Sequence, residues 1–286
     1  MKWLRQLSQV IDYIEKNLDG DISYDEAAKI ACLSPYYFQR IFSYITGITL
    51  PCYIRRRRMT KAAFELQTTN KKVMDIGLKY GYESPTAFNR AFQSVHGVAP
   101  TAARANGTLL TAYPPISFSI SVIGGENMKY RVETKEAIRT VGIKTNLKEN
   151  MEENQKIAPI FWSKTLKSPM FSDICKLTTK EPHGILGIST YIDPQNIYYY
   201  IAAPTNSPVP CGMVEFEIPA ATWVIFECNG RFKESVQIIF KRFFTEWLPT
   251  SDYEYAGLPD IEVYPVNTNG EKSGHAEVWI AVNPSN

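Results

Sequence analysis

The chain has 286 residues, 44% hydrophobic and 21% charged, which is ordinary for a globular protein and, at this length, favours two domains over one. Its five cysteines form no CxxC pair, which excludes a recognisable zinc motif or disulfide framework. No basic-then-apolar leader and no apolar run near 18 residues occurs, so the reading is of a reduced, cytoplasmic protein without a membrane segment. The net charge of +2 hides an asymmetry: residues 1–107 hold 15 Lys and Arg against 9 Asp and Glu, the remainder 16 against 20. A basic front half suits a polyanionic partner, although chance variation of surface charge gives the same sign.

The first half repeats itself. At an offset of 50, Ala27 falls on Gly77, Ser34-Pro35 on Ser84-Pro85, Phe38 on Phe88, Arg40 on Arg90, Phe42 on Phe92 and Gly47 on Gly97. The matching residues are those that build helices, so one structural unit is used twice. In the first copy Ser23 and Glu26 have capping-box spacing. Ala27, Ala28, Ile30 and Ala31 supply a packing face, and CLS makes a turn. Ser34 then caps a second helix with Pro35 at its first position. Phe38, Ile41, Phe42 and Ile45 form its apolar stripe and Gly47 stops it. The second copy runs through VMDIGLKYGYE to Ser84, Phe88, Ala91, Phe92, Val95 and Gly97. Short helix, tight turn and capped second helix are the helix-turn-helix pattern, here with an arginine expected on each exposed face. Two ordinary helical hairpins would share the pattern but not the charge.

Leu50–Gln67 reads as one connecting helix. Its 18 residues span about 27 Å, enough to hold two recognition helices near the ~34 Å repeat of B-DNA. The run Arg55–Arg58 points in four directions on a helix, so it cannot meet one phosphate backbone as a block.

On these residues the segment 1–105 resembles the DNA-binding domain of AraC/XylS-type transcription regulators, with seven helices and two helix-turn-helix units. The stretch Asp75–Arg104, with Phe88, Arg90, Phe92, Gly97 and Pro100, resembles the family signature, and YIRRRRMTKAA resembles its linker helix. Gly77 and Ala31 depart from the usual residues there. The resemblance implies base-reading positions at Tyr36, Gln39 and Arg40 on the first recognition helix and at Thr86, Asn89 and Arg90 on the second. Arginine can fork onto guanine and glutamine can pair with adenine. A solvated or internally paired arginine is the plain alternative. The implied partners are promoter DNA and RNA polymerase.

NGTLLTAYPP, 106–115, reads as a linker between a domain at 1–107 and one at 112–286. Ile116, Phe118, Ile120 and Val122 alternate with serines, predicting a strand that turns at GGEN into a hairpin with Met128, Tyr130 and Val132. Beyond lies a weaker duplication: strand IRTVGIKTN, helix near 157–166, strands GILGIST and IYYYIAA; then strand ATWVIFECNG, helix SVQIIFKRFFTEWLP, strands DIEVYP and HAEVWIAV. A twice-repeated β-α-β-β predicts an α+β domain with helices on one face and a cleft on the other. On the last strand Glu277 and Trp279 share a face opposite Val278 and Ile280. A carboxylate beside an aromatic wall suits a lipophilic cation, and a half-exposed Glu beside a packing Trp is the bland version.

Residues 128–286 resemble GyrI-like small-molecule-binding domains, through VEFEIPAATWVIFECNG, EWLPTSDYEYAGLPDIEVYP and EVWIAV. The resemblance implies a ligand carboxylate at Glu277, and Ala281 departs from a usual proline; Trp279 lies beside Glu277 on the strand, and Trp223, Tyr255 and Trp162 are candidate cleft walls or core residues. The expected protein is a ligand-controlled, DNA-binding transcription regulator, an activator, with no cofactor, metal or catalytic residue. The rivals are a hydrolase using Glu277 with Tyr255 or Tyr264, and a C-terminal domain that binds a protein partner.

Overall fold

Hydroxyl side chains start most of the helices in the N-terminal half. The computed structural model describes residues 2–118, 127–148, 151–191, 197–266 and 273–285. Its first unit, Met1–Val122, holds α1 (Lys2–Lys16), α2 (Tyr24–Ile30), α3 (Pro35–Thr46), α4 (Leu50–Thr68), α5 (Val73–Lys79) and α6 (Pro85–His96). The side chains of Ser23, Ser34, Thr49 and Ser84 accept hydrogen bonds from the amides of Glu26, Tyr37, Cys52 and Ala87 at 3.1–3.4 Å. Each such cap is worth about 1 kcal/mol to its helix. Gly47 and Gly97 end α3 and α6 in the left-handed region, at φ 72° and 75°. A 3-10 turn, Ala102–Arg104, follows α6.

Two cores form. Leu7, Ile14, Ala27, Phe38 and Phe42 close the first around the start of α4. Met59, Ala62, Leu66, Ile76, Phe88 and Phe92 close the second around its remainder. The linker helix therefore contributes to both, and no helix among the described residues is long and apolar enough to cross a membrane.

The expected strand from Ile116 does not form over its described part. Ile116 and Phe118 instead pack against the first helical core. The remainder of that strand and the GGE of its turn lie outside the described residues.

The second unit, Ile123–Asn286, carries nine strands among its described residues. They are β1 (Tyr130–Lys135), β2 (Ile138–Asn146), β3 (Ile185–Thr190), β4 (Tyr198–Pro204), β5 (Val214–Ile218), β6 (Ala221–Arg231), β7 (Tyr253–Tyr255), β8 (Asp260–Tyr264) and β9 (Ser273–Pro284). The helices are α7 (Met151–Thr165), α8 (Pro169–Lys176) and α9 (Phe232–Arg242). Strand order is β1-β6-β9-β8-β3-β4-β2-β5, with β7 beside β9. The two β-α-β-β repeats are β2-α7-β3-β4, with α8 added after α7, and β6-α9-β8-β9, with β7 added after α9.

Register shows how the sheet ends. Lys135 pairs with Ala221 and, after a break of two residues on each strand, Ile138 pairs with Ile218. β1–β2 and β5–β6 therefore form one antiparallel ribbon interrupted in the middle, and the path of paired strands returns to its start. Side-chain alternation then separates two faces. One face carries Trp223, Ile225, Trp279, Ile261, Ile188 and Tyr200 in a single buried cluster. The other carries Val224, Phe226, Val278 and Ile280, and there Phe226 meets Phe243 and Trp247 after α9.

Candidate functional site

The two recognition helices differ. On α6 the apolar stripe turns Phe88 and Phe92 inward and leaves Thr86, Asn89 and Arg90 exposed. Gln93 Nε2 donates to Asn89 Oδ1 at 3.3 Å. This face presents a hydroxyl, an amide and a guanidinium within two turns, the donor and acceptor types that base edges and phosphates accept.

On α3 every residue from Tyr36 to Ser43 is buried. Tyr36 is 6%, Gln39 7% and Arg40 3% exposed, so the expectation of an arginine on an exposed face in both copies is corrected for the first. Arg40 also has a local contact. One turn on, the Tyr44 hydroxyl accepts from Arg40 Nε at 3.2 Å and Nη2 at 3.0 Å. The guanidinium carbon also stands 5.2 Å from the Tyr44 ring centroid. In this structure Arg40 lies along its own helix instead of projecting from it.

The arginine run divides as its helical geometry requires. Arg57 is buried and binds both carboxylate oxygens of Glu15 at 2.8 Å. Arg58 donates to the carbonyls of Leu18 and Gly20 at 3.0 and 2.6 Å. Arg56 covers the Tyr113 ring at 4.6 Å. These contacts are internal.

The five residues assigned to the ligand divide between the two sheet faces. Glu277, Trp279 and Trp223 lie together, but packed. Trp223 and Trp279 are 0% and 2% exposed, with ring centroids 6.2 Å apart. Glu277 Oε1 meets Arg131 Nη1 at 2.8 Å and Oε2 accepts from Trp279 Nε1 at 2.8 Å. Arg131 Nε also donates to Glu133 at 2.7 Å, and Lys135 stands 5.1 Å over the Trp279 ring. In this structure the chain's own Arg131 and Lys135 stand against this carboxylate and ring, beside the buried Trp223 and Trp279. Tyr255 faces the opposite way, against Phe243 and Phe244 at 6.3 and 5.4 Å. Trp162 is also on that side, apart from Tyr255's group.

Trp162 belongs to a group that sequence reasoning did not assemble. Its Nε1 donates to the Tyr199 hydroxyl at 2.8 Å, and Tyr199 in turn donates to Glu262 Oε2 at 2.8 Å. The Tyr264 hydroxyl donates to the same oxygen at 2.8 Å. Trp162 and Phe232 meet the Tyr264 ring edge-on at 5.2 and 5.1 Å. Burial, followed by the charge of Glu262, pushes both phenols well above the usual tyrosine range, so they remain donors. Gly187 leaves room for the cluster: a Cβ there would fall 2.3 Å from the Tyr199 hydroxyl and 2.8 Å from Glu262 Oε2. A half-buried carboxylate is thus held by two phenols, with Trp162 of α7 and Phe232 of α9 against the Tyr264 ring, a combination of charge and aromatic rings of the kind that attracts cations. The alternation Asp260-Ile261-Glu262-Val263 already placed Glu262 on the strand face opposite Ile261 and Val263. Nothing in the order of the chain paired it with the middle tyrosine of IYYYIAA.

Comparison with known proteins covers both units. Residues 131–282 match the family model described as integron-associated effector binding protein, and residues 27–106 match a helix-turn-helix domain model. The Tn10 TetD protein of Escherichia coli is 43% identical over 100 residues, 35% of this chain and 72% of its own. The transcriptional activator AarP of Providencia stuartii is 40% identical over 102 residues, 36% of this chain and 76% of its own. A putative transcription regulation protein from Staphylococcus aureus aligns in structure at 19% identity and a TM-score of 0.47, over 55% of this chain and 99% of that one.

Proposed function

This chain belongs to the AraC-type DNA-binding transcription regulators and, through residues 131–282, to the integron-associated effector-binding family, and we propose that it is a cytoplasmic activator switched by a small aromatic cation. The observation that carries the ligand class is the Glu262 cluster: a carboxylate fixed by Tyr199 and Tyr264 and bordered by Trp162 and Phe232. The proposed ligand carboxylate is therefore Glu262, instead of Glu277. Domains at 1–107 and 112–286 remain the proposed division of labour, with RNA polymerase as the partner on DNA. The similarity to AarP, named as an activator, supports the direction of regulation.

On the DNA side Thr86, Asn89 and Arg90 are the proposed readers in the second copy, and Tyr36, Gln39 and Arg40 in the first. In the first copy Arg40 reaches a groove only by leaving the Tyr44 hydroxyl. An effector that binds the DNA-engaged state better favours engagement by its difference in affinity for the two states.

The test is a titration of the full chain with benzyltriethylammonium and with a neutral isostere of the same shape, followed by calorimetry. Wild type is expected to prefer the cation by about tenfold, in the range of one desolvated cation–π or charge contact. Glu262→Gln should abolish that preference and Glu277→Gln should retain it. Equal cation affinity in wild type and Glu262→Gln would remove the cluster from the site. An operator affinity unmoved by saturating ligand would leave a binding protein without a switch.

A further inference from the structure

Residues 108–118 are not a free tether between units; they are laid along α4. Thr108 Oγ1 donates to the carbonyl of Ala102 at 2.8 Å, and Leu110 packs on the second helical core. The amide of Thr111 donates to His96 Nδ1 at 3.3 Å. Because Nδ1 accepts there, His96 carries its proton on Nε2, which lies 3.1 Å from the Met59 carbonyl on α4. The amide of Tyr113 donates to Thr60 Oγ1 at 3.1 Å. Its carbonyl accepts from Arg57 Nη1, and its ring lies under Arg56. The amide of Ile116 donates to the Tyr53 hydroxyl at 3.3 Å, and Tyr53 donates onward to Glu15 of α1 at 2.8 Å. Ile116 and Phe118 then enter the first core. The strap thus starts on the second helix-turn-helix unit, follows the linker helix and finishes on the first.

A single shared helix sets the distance between two subdomains but lets each pivot about its own contacts. A second connection parallel to the first removes that freedom. We propose that the strap, through Thr60, Tyr53, Arg57 and His96, braces the two helix-turn-helix units and so determines the half-site spacing the protein accepts on DNA. The inference rests on the reading that both units engage one duplex. The brace residues touch no base; they act by holding α3 and α6 in register.

The experiment uses the full chain and a duplex it selects from a randomised pool. A footprint first locates the contacted segments. One base pair is then inserted between them, shifting the second segment by about 3.4 Å and about 35°. Wild type should lose about tenfold or more in affinity, the cost of about one mismatched position. Thr60→Val and Tyr113→Ala should bind the parent duplex within about threefold of wild type and lose less than about threefold on insertion. Melting curves check that both variants are folded. In wild type the Tyr113 and Ile116 amides should be protected from hydrogen exchange, with Tyr113 deprotected in Thr60→Val. A two-segment footprint with equal insertion penalties in all three proteins would overturn the brace alone. Unprotected amides in wild type would do the same. A footprint confined to one segment would overturn the two-headed reading, and the brace with it.

Discussion

The two helix-turn-helix copies began from one pattern and now differ in the two features that govern DNA recognition. Both have the serine cap, the proline at the first helical position, the paired phenylalanines and the glycine stop. The second presents Thr86, Asn89 and Arg90 to solvent; the first buries Tyr36, Gln39 and Arg40. Their turns differ as well. Gly81 supplies the left-handed residue of the second at φ 80°, while in the first Cys32 adopts φ 56° with a side chain attached. A repeat therefore guarantees a shared core and caps, since those are local. Exposure is decided by whatever else packs on each copy.

The largest expected consequence concerns DNA. Arg90→Ala should cost about 1–3 kcal/mol of specific affinity and relax preference at one base position, measured by fluorescence anisotropy on a selected duplex. Arg40→Ala without effector should cost clearly less, because Arg40 is committed to Tyr44. Equal losses would show that the first copy opens freely and would erase the distinction between the two.

The turns come next. Gly81→Ala places a Cβ 2.8 Å from Arg58 Nη1 at a left-handed position, and should destabilise the folded unit by about 1–2 kcal/mol. Cys32→Gly should go the other way, gaining up to about 1 kcal/mol as the strain is relieved. Chemical denaturation of both variants measures the pair. A loss in Cys32→Gly would mean that the Gln6 contact to its sulfur, 3.0 Å, outweighs the strain.

The smallest effect is in the acid range. Each copy is tied to its neighbours by one carboxylate: Glu15 holds Arg57 and Tyr53, and Glu65 holds Lys71, Lys79 and Tyr80. Burial would raise Glu65, but the hydrogen bonds from Lys79, Tyr80 and Lys71 overcome it and bring the carboxyl down to about 2. Glu15 is lowered by the same balance, with Arg57 and Tyr53 as its donors. A folded-state pKa below the unfolded value of about 4.3 stabilises fully above that pH. The contribution is then lost as pH falls toward 2. Thermal melts from pH 6 to pH 3 should therefore show a decline that flattens in Glu65→Gln. An unchanged slope would mean that Glu65 is not an anchor of the second copy.

Much of this architecture was legible in the chain because it depends on neighbours a few residues apart. Serine and threonine caps, the 3.6-residue apolar stripes and the strict alternation of Glu277 and Trp279 with Val278 and Ile280 are local, and they set helix starts, helix faces and strand faces. The duplicated β-α-β-β followed from the order of those elements. What escaped depended on contacts distant in sequence. Ile116 and Phe118 alternate like a strand, yet they end on a helical core because that apolar surface was available to them. The sheet fills its inner face once the ribbon Lys135–Ile138 and Ile218–Ala221 brings its ends together. That closure buries Trp223 and Trp279, and Glu262 meets Tyr199 from 63 residues away. Periodicity and capping specified which residues face inward. Only packing in three dimensions decided which inward faces are filled, which arginine is spent internally, and which carboxylate has aromatic company.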